Sequence, residues 1–454
     1  MNIMIPVETI NRELDSKLIL ASFLVKSGAK VYIGQHDYLH SLVPYFKNGL
    51  YIGKNVFKTF LSEEKFDRLY DLKKQNIDIF YLHEEGAVFP GGKEDWEEVL
   101  GRQYSTEYFG ENDLVLTWGN FQKNYDTQRT KNSSVVATGH PRFDLYKKKY
   151  RNYFSEEIAQ LKEKYGNYIL VNGNYGLVNH GLGLNYVFSK SHSYNPANTR
   201  ERLKRVGFYR SSSAQMNAII ELVHHLAVVF SDKNIIYRSH PSESDDIYKQ
   251  VFQGVSNIHV VHEGGVAPWI LGAEAIIHDG CTTAIEAFIS DKKVINYKAD
   301  IEDKFNIWLP NQMGVKATDI SGVINVLNEK EVGSNVELDF EVTELLCNFH
   351  EDSIDNIVNL VNKHMELNNE EKKYISPSDF IIRRNYSFME IRRVLSYIKY
   401  LGKNIDQKYH TKKFNGFDKK EIASKLGRAT EISGGNINLK FYNKLMFSLS
   451  SSID

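Results

Sequence analysis

Asn234-Ile235-Ile236-Tyr237-Arg238-Ser239-His240-Pro241-Ser242-Glu243 opens the stretch whose reading decides the fold, and Lys293-Val294-Ile295-Asn296-Tyr297 closes it. An apolar, strand-like run breaks into a polar loop. A loop and a short helix lead to a second apolar run, Ala275-Ile276-Ile277, which ends on His278-Asp279-Gly280-Cys281-Thr282-Thr283. Ala284 to Phe288 reads as the next helix. Strand, polar loop and helix in repetition predict a parallel sheet with its working loops at the carboxyl ends of the strands.

Upstream the pattern repeats. Asn2 to Val7 predicts a strand, Glu8 to Asp15 a polar loop, Ser16 to Lys26 a helix and Val31 to Gly34 a second strand. This places Arg12 and Glu13 in a loop at a strand end. Further strands are expected at Gly49–Ile52, Ile77–Leu82, Asp113–Thr117 and Ser134–Ala137, with helices at Asn55–Lys58, Glu63–Gln75 and Asp95–Arg102. A second α/β unit begins at Tyr168-Ile169-Leu170-Val171-Asn172, with Asn172 to Gly176 as its first loop. Residues 178–200 are loop-like, and a helix is expected from Gln215 to Phe230. The expected organisation is an α/β chain of two doubly wound, Rossmann-like domains, residues 1–150 and 151–365, with a basic helical C-terminal extension over residues 366–454.

Composition narrows the function classes. The 454 residues are 42% hydrophobic and 25% charged, as in ordinary globular proteins. Two cysteines, Cys281 and Cys347, exclude a disulfide framework and CxxC metal spacing. The start, Met1 to Glu8, has no basic lead, and no apolar run approaches the ~20 residues of a membrane span, so a cytoplasmic protein is expected. The net charge of −1 hides an asymmetry: residues 366–454 hold 17 Lys/Arg against 10 Asp/Glu. That basic, aromatic-rich tail predicts peripheral contact with an anionic membrane face, or else solvated helices that happen to be basic. No comparable basic stripe in the body points to nucleic acid.

Two strand-end loops carry the groups of an anion site. His240-Pro241 sits in extended backbone behind Arg238, where imidazole and guanidinium can bond a phosphate, with Ser242 beside them. Asp279, Gly280, Thr282 and Thr283 offer a glycine turn and hydroxyls at a helix amino end. Each loop has a plainer reading, a capped turn or an N-cap; their coincidence one strand apart favours the phosphate site. Glu286 is expected in the first helical turn, suited to the helix dipole or to a ribose hydroxyl. Glu84-Glu85-Gly86 places two acids past a strand, and one of them can act as general base provided its pKa is raised. Adjacent residues point to opposite sides, and Gly86 favours Glu85 by leaving room for a ligand. Asp245-Asp246 falls on a helix, so no metal site and no cofactor is expected.

An acid-acid-Gly loop, a His-Pro loop and a double-hydroxyl helix start together resemble the motifs of bacterial sialyltransferases of the GT-B fold. Asn11 to Lys17, the segment Thr138-Gly139-His140-Pro141-Arg142-Phe143-Asp144 and the Asn172 loop resemble bacterial surface carbohydrate biosynthesis proteins, a group allied to Kdo transferases and polyol-phosphate polymerases. The resemblance covers roughly residues 1–330. It implies two domains facing a cleft and transfer of a ulosonic acid (sialic, legionaminic, pseudaminic or Kdo) from a CMP-sugar to a glycan or lipid-linked glycan at the inner membrane face. It implies Glu84 and Glu85 as catalytic acids. Donor contacts would come from Asn172, Asn174, Arg238, His240, Ser242, Asp279, Gly280, Thr282, Thr283 and Glu286. Acceptor contacts would come from Arg12, Glu13, His140 and Arg142. The chain departs from the pattern in having glutamates for the commoner aspartates and threonines for serines. A retaining reaction would instead require a nucleophile such as Asp279 or Glu286. The alternatives are a CDP-glycerol or CDP-ribitol phosphotransferase and a non-catalytic glycan-binding subunit.

Overall fold

A computed structural model of the chain describes residues 1–54, 56, 68–86, 88, 89, 91, 93–299, 305, 307–329, 338, 340–368, 372–399 and 414–452. Of the expected helix at Asn55–Lys58 only Val56 is described, outside any helix, and the start of the one at Glu63 lies outside these residues. Packing divides the chain into two compact units. Met1–Ala87, Glu97–Leu145 and Thr343–Asp454 form the first, Val88–Trp96 and Tyr146–Val342 the second. The fold is mixed α/β with two sheets built mainly of parallel strands, as the sequence predicts.

The first unit begins with β1 (Asn2–Val7), β2 (Lys30–Gln35), β3 (Gly49–Gly53), β4 (Ile77–Leu82), β5 (Leu114–Thr117) and β6 (Ser134–Ala137). All six pair in parallel in the order β2-β1-β3-β4-β5-β6. β1 is buried throughout, the continuous apolar run of a strand covered on both faces. The order reverses between β1 and β3, a topological switch point. The helix after β1 starts at Ile10, earlier than expected, so Arg12 and Glu13 lie in its first turns rather than in a loop.

The second unit contains β7 (Tyr168–Asn172), β8 (Asn234–Arg238), β9 (Ile258–Val261), β10 (Ala275–His278), β11 (Lys293–Tyr297) and β12 (Val315–Ala317). They pair in parallel in the order β12-β11-β10-β7-β8-β9, which reverses between β7 and β10. β9 and β12 have four and three residues, too short for their apolar pattern to stand out. The helix ahead of β8 runs from Thr199 to Val229, with the Asn198 side chain capping the N–H groups of Arg200 and Glu201. Its buried residues all lie in its second half. Ile219, Leu222, Val223 and Leu226 there pack in one core with Ile169, Val171, Ile235 and Ile277.

The expected boundary at 365 and the helical tail both need correction. Asn348 donates to the carbonyl of His140 and to Asp144, and Asp144 also accepts the Ile354 N–H at 2.7 Å. These bonds tie the chain from Thr343 onward to the first unit. Beyond them, β13 (Ile437–Asn443) and β14 (Met446–Ser451) form an antiparallel hairpin, and β14 adds antiparallel to β2. Met446, Phe447 and Leu449 are fully buried there. The helix Lys419–Ser433 packs on Ile10–Lys26, with Lys425 paired to Asp15 at 2.7 Å and Lys26 donating to the Ser433 carbonyl at 2.8 Å. The C-terminal region therefore completes the first sheet rather than trailing from it. Among the described residues, no helix is long and apolar enough to cross a membrane.

Candidate functional site

Each unit gathers polar groups at the carboxyl ends of its strands, beside its own switch point. In the first unit the cluster is ionic and closed. Lys17 Nζ lies 2.6 Å from Glu13 and 2.9 Å from Glu84 and donates to the Pro6 carbonyl at 2.8 Å. Lys54, just past β3, pairs with Glu8 at 2.9 Å and Glu13 at 3.3 Å. His140 Nδ1 accepts the Arg142 N–H at 3.2 Å, which leaves Nε2 to carry hydrogen, and Nε2 sits 3.2 Å from Glu84. Burial opposes the charge on Glu84, but Lys17, His140 and Lys54 outweigh it and hold the carboxyl well below its usual range. Burial also lowers the His140 pKa, against the pull of Glu84.

Glu84 and Glu85 turn to opposite sides. Glu84 is 3% exposed, whereas the Glu85 side chain is 33% exposed and pairs with Arg12. Burial raises the pKa of Glu85, and Arg12 with Arg142 lowers it further than burial lifts it. The raised pKa that a general base requires is therefore present on neither acid in this structure. Gly86 also has another reason than ligand approach. A Cβ there would lie 2.2 Å from Trp118 Cγ, so the position is glycine because an indole ring occupies the space. Of the residues expected to hold an acceptor, Glu13, His140 and Arg142 are buried; only Arg12 is open to solvent.

The second unit brings together most of the residues expected at the donor. Asn172, the last residue of β7, donates from Nδ2 to Thr283 Oγ1 at 2.9 Å. Its Oδ1 is buried with no hydrogen-bond partner among the described residues. Asn174 reaches the Gly280 carbonyl at 3.5 Å, and Tyr175 donates its hydroxyl to Asp279 at 2.8 Å. Burial pushes the Asp279 carboxyl up to about 6, against Lys298 and the Tyr175 bond. Gly280 has φ +116°, a conformation other residues rarely adopt, and its N–H donates to buried His278 at 3.1 Å. Thr282 opens the helix Thr282–Ile289 behind Cys281 with no hydroxyl cap, and the Thr283 N–H faces the Cys281 sulfur. Burial pushes the Cys281 thiol up to about 12, away from the thiolate form.

The His-Pro loop lies past β8, next to β7; since β7 separates β8 from β10, this loop and the Asp279–Thr283 loop are two strands apart rather than the expected one. His240 is exposed; its Nδ1 accepts the Ser242 N–H at 3.2 Å and sits 2.8 Å from the Ser242 hydroxyl. Two further expectations change. Arg238 spends two N–H groups on the carbonyls of Glu263 (2.8 Å) and Gly264 (2.6 Å), bracing the loop after β9. Glu286 lies beyond the first helical turn and is 3% exposed, behind the strand-end surface.

Glu243 is the residue that sequence reasoning missed. It is buried and accepts the backbone N–H groups of Tyr175 and His240, each at 2.9 Å, and the Tyr248 hydroxyl. One carboxyl thus fixes the loop after β7 against the loop after β8. The His240-to-Glu243 spacing matches the reach-back of a capping box, which is the signal that identifies it. Among the described residues, no group of three or more His, Cys, Asp or Glu side chains is placed to hold a metal ion.

No family model matches the chain, and no curated protein matches it. Solved structures similar to it include the UDP-GlcNAc 2-epimerase of Methanocaldococcus jannaschii, at 13% identity over 80% of this chain and 100% of that one, with a TM-score of 0.49. The S. aureus MnaA–UDP structure is 12% identical over 82% of this chain and 99% of its own, with a TM-score of 0.45. The wall teichoic acid polymerase TagF, in a variant soaked with CDPG, is 10% identical over 82% of this chain and 90% of its own, with a TM-score of 0.47.

Proposed function

We propose that this chain is a GT-B glycosyltransferase that moves a ulosonic acid from a CMP-activated donor to a bacterial surface glycan. The observation that carries the reading is the convergence at the β7/β10 switch point of the Asn172 amide, the Asp279–Gly280 turn and an uncapped helix start. Open α/β sheets bind ligands at that place, and free N–H groups at a helix start favour phosphate. The orphaned Oδ1 of Asn172 suits a hydroxyl donor such as a sugar or ribose.

Transfer forms a bond from the acceptor hydroxyl oxygen to the anomeric carbon as the bond from that carbon to the CMP phosphate oxygen breaks, and charge builds on the departing CMP. His240 and the N–H group at Thr282 meet that charge. A carboxylate takes the acceptor proton, and Glu85 is the exposed one. An anionic acceptor that draws Arg12 away would remove the largest of the charges that lower the Glu85 pKa.

The test is donor consumption by the full chain, with CMP-linked sialic, legionaminic, pseudaminic and Kdo sugars compared with CDP-glycerol and CDP-ribitol. Consumption of a CMP-ulosonic donor, with the product anomer read by NMR, is expected. Consumption of a CDP-polyol alone would replace the reading with phosphotransfer. Glycan binding with no nucleotide binding would replace it with a non-catalytic subunit.

A further inference from the structure

The helix Asp379–Lys399 has two apolar faces, and the fold uses one. Ile382 is fully buried, its carbonyl accepts the Tyr38 hydroxyl at 2.6 Å, and the Tyr386 ring stands edge-on to Tyr38 at 6.3 Å. The outward face carries Phe380, Phe388, Ile391, Val394 and Leu395, which are 72%, 56%, 54%, 53% and 60% exposed. At about 100° per residue these five fall within one arc of about 120°. A single exposed leucine needs no explanation, but five large apolar side chains in register on one helix do.

Charge frames this arc. On the same turn angle, Arg383 lies just beyond one border and Arg392 just beyond the other, and both are exposed. Two polar side chains also fall within the arc: Arg384 bonds the Tyr45 hydroxyl at 2.6 Å, and the Ser387 hydroxyl donates to the Arg383 carbonyl at 3.2 Å. The helix has two carboxylates over its described side chains, and each is already paired with a cation. Asp379 meets Lys440 at 2.8 Å, and Glu390 meets Arg393 at 3.1 Å and Lys444 at 3.4 Å.

We propose that this face of the Asp379–Lys399 helix lies in the interfacial plane of an anionic bilayer, with the apolar arc among the acyl chains and Arg383 and Arg392 at the headgroups. An apolar stripe bordered by arginines, on a helix that does not span, is the pattern of an in-plane amphipathic helix. A second copy of the chain fits less well, because two such faces in contact would set arginine rows against each other. The proposal does not depend on the nucleotide reading.

Deleting the tail is the wrong test, since β14 and the Lys419–Ser433 helix belong to the first unit's packing. The experiment uses the full chain in co-sedimentation with phosphatidylcholine vesicles, with and without phosphatidylglycerol. The unsubstituted chain is expected to bind the phosphatidylglycerol vesicles and to release as salt rises. The triple variant Phe388→Ser, Ile391→Ser, Leu395→Ser is expected to bind about tenfold or more weakly, and Arg383→Gln with Arg392→Gln to lose the preference for anionic lipid. Melting temperatures of all variants check that the fold is kept. Equal vesicle binding by the triple variant and the unsubstituted chain would overturn the proposal. So would self-association that the same substitutions abolish, with no vesicle binding, which would assign the face to a second copy.

Discussion

Asn172 Nδ2 donates to Thr283 Oγ1 at 2.9 Å, joining the end of β7 to the first turn of the helix after β10 across the switch point of the second sheet. The bond holds the helix start at a fixed distance from the buried amide. Asn172→Ala removes both this tie and the acceptor offered to a ligand hydroxyl. A loss of cytidine nucleotide affinity of about 2 kcal/mol, roughly thirtyfold, is expected. Calorimetry measures it, and a melting temperature within a few degrees of the unsubstituted chain assigns the loss to the site.

Glu243 gives a pH signature. Burial pushes its carboxyl up to about 7, against the bonds from Tyr248, Tyr175 and His240. The folded state thus holds this proton more tightly than the unfolded chain. The contribution to stability is full below the ordinary glutamate range and is lost as pH rises through about 7. Glu243→Gln keeps an acceptor for the Tyr175 and His240 N–H groups and removes the titration. Stability curves from pH 4 to pH 8, roughly the window of this linkage, should show a smaller decline for the variant than for the parent.

Glu84 and Glu85 should separate cleanly. Glu84→Gln leaves Lys17 less compensated in a buried network and is expected to cost about 3–5 kcal/mol of stability. Lys17→Met should cost a similar amount, and the double variant should cost less than the two together. The depressed pKa of Glu84 means its contribution is present above the ordinary glutamate value and lost as pH falls through the folded value. Glu85→Gln should leave melting nearly unchanged and lower turnover. Denaturant titration and donor consumption, measured on the same samples, tell the two acids apart.

Gly86→Ala tests the packing explanation of that glycine. A Cβ 2.2 Å from the Trp118 ring must push the indole or the loop aside. Overpacking of this kind costs about 1–3 kcal/mol. Unfolding followed by tryptophan fluorescence should show both the loss and an altered Trp118 environment.

Much of the fold was legible because buried parallel strands announce themselves as short apolar runs. β1, β4, β7, β8 and β10 all lie where such runs occur. The His-Pro and Asp-Gly-Cys-Thr-Thr loops were legible as strand-end loops for the same reason. The alternation of Ile437 to Lys440 and Phe447 to Leu449 around a turn carries the signal of the C-terminal hairpin, beside the basic charge of the region. What could not be read depends on distant partners. Gly86 is explained by Trp118, Arg238 by the carbonyls after β9, and Asp144 by Asn348 and Ile354. Glu84 looks like a free acid in sequence, and only the fold brings Lys17 and His140 to it.

The central claim is that the second unit's switch point binds a cytidine monophosphate group. Calorimetric titration of CMP into the unsubstituted chain and into His240→Ala tests it most directly, with UDP as the comparison. Saturable CMP binding tighter than that of UDP is expected, weakened about tenfold or more by loss of the imidazole at an unchanged melting temperature. No CMP binding to the unsubstituted chain, or equal affinity in the His240→Ala variant, would contradict the account.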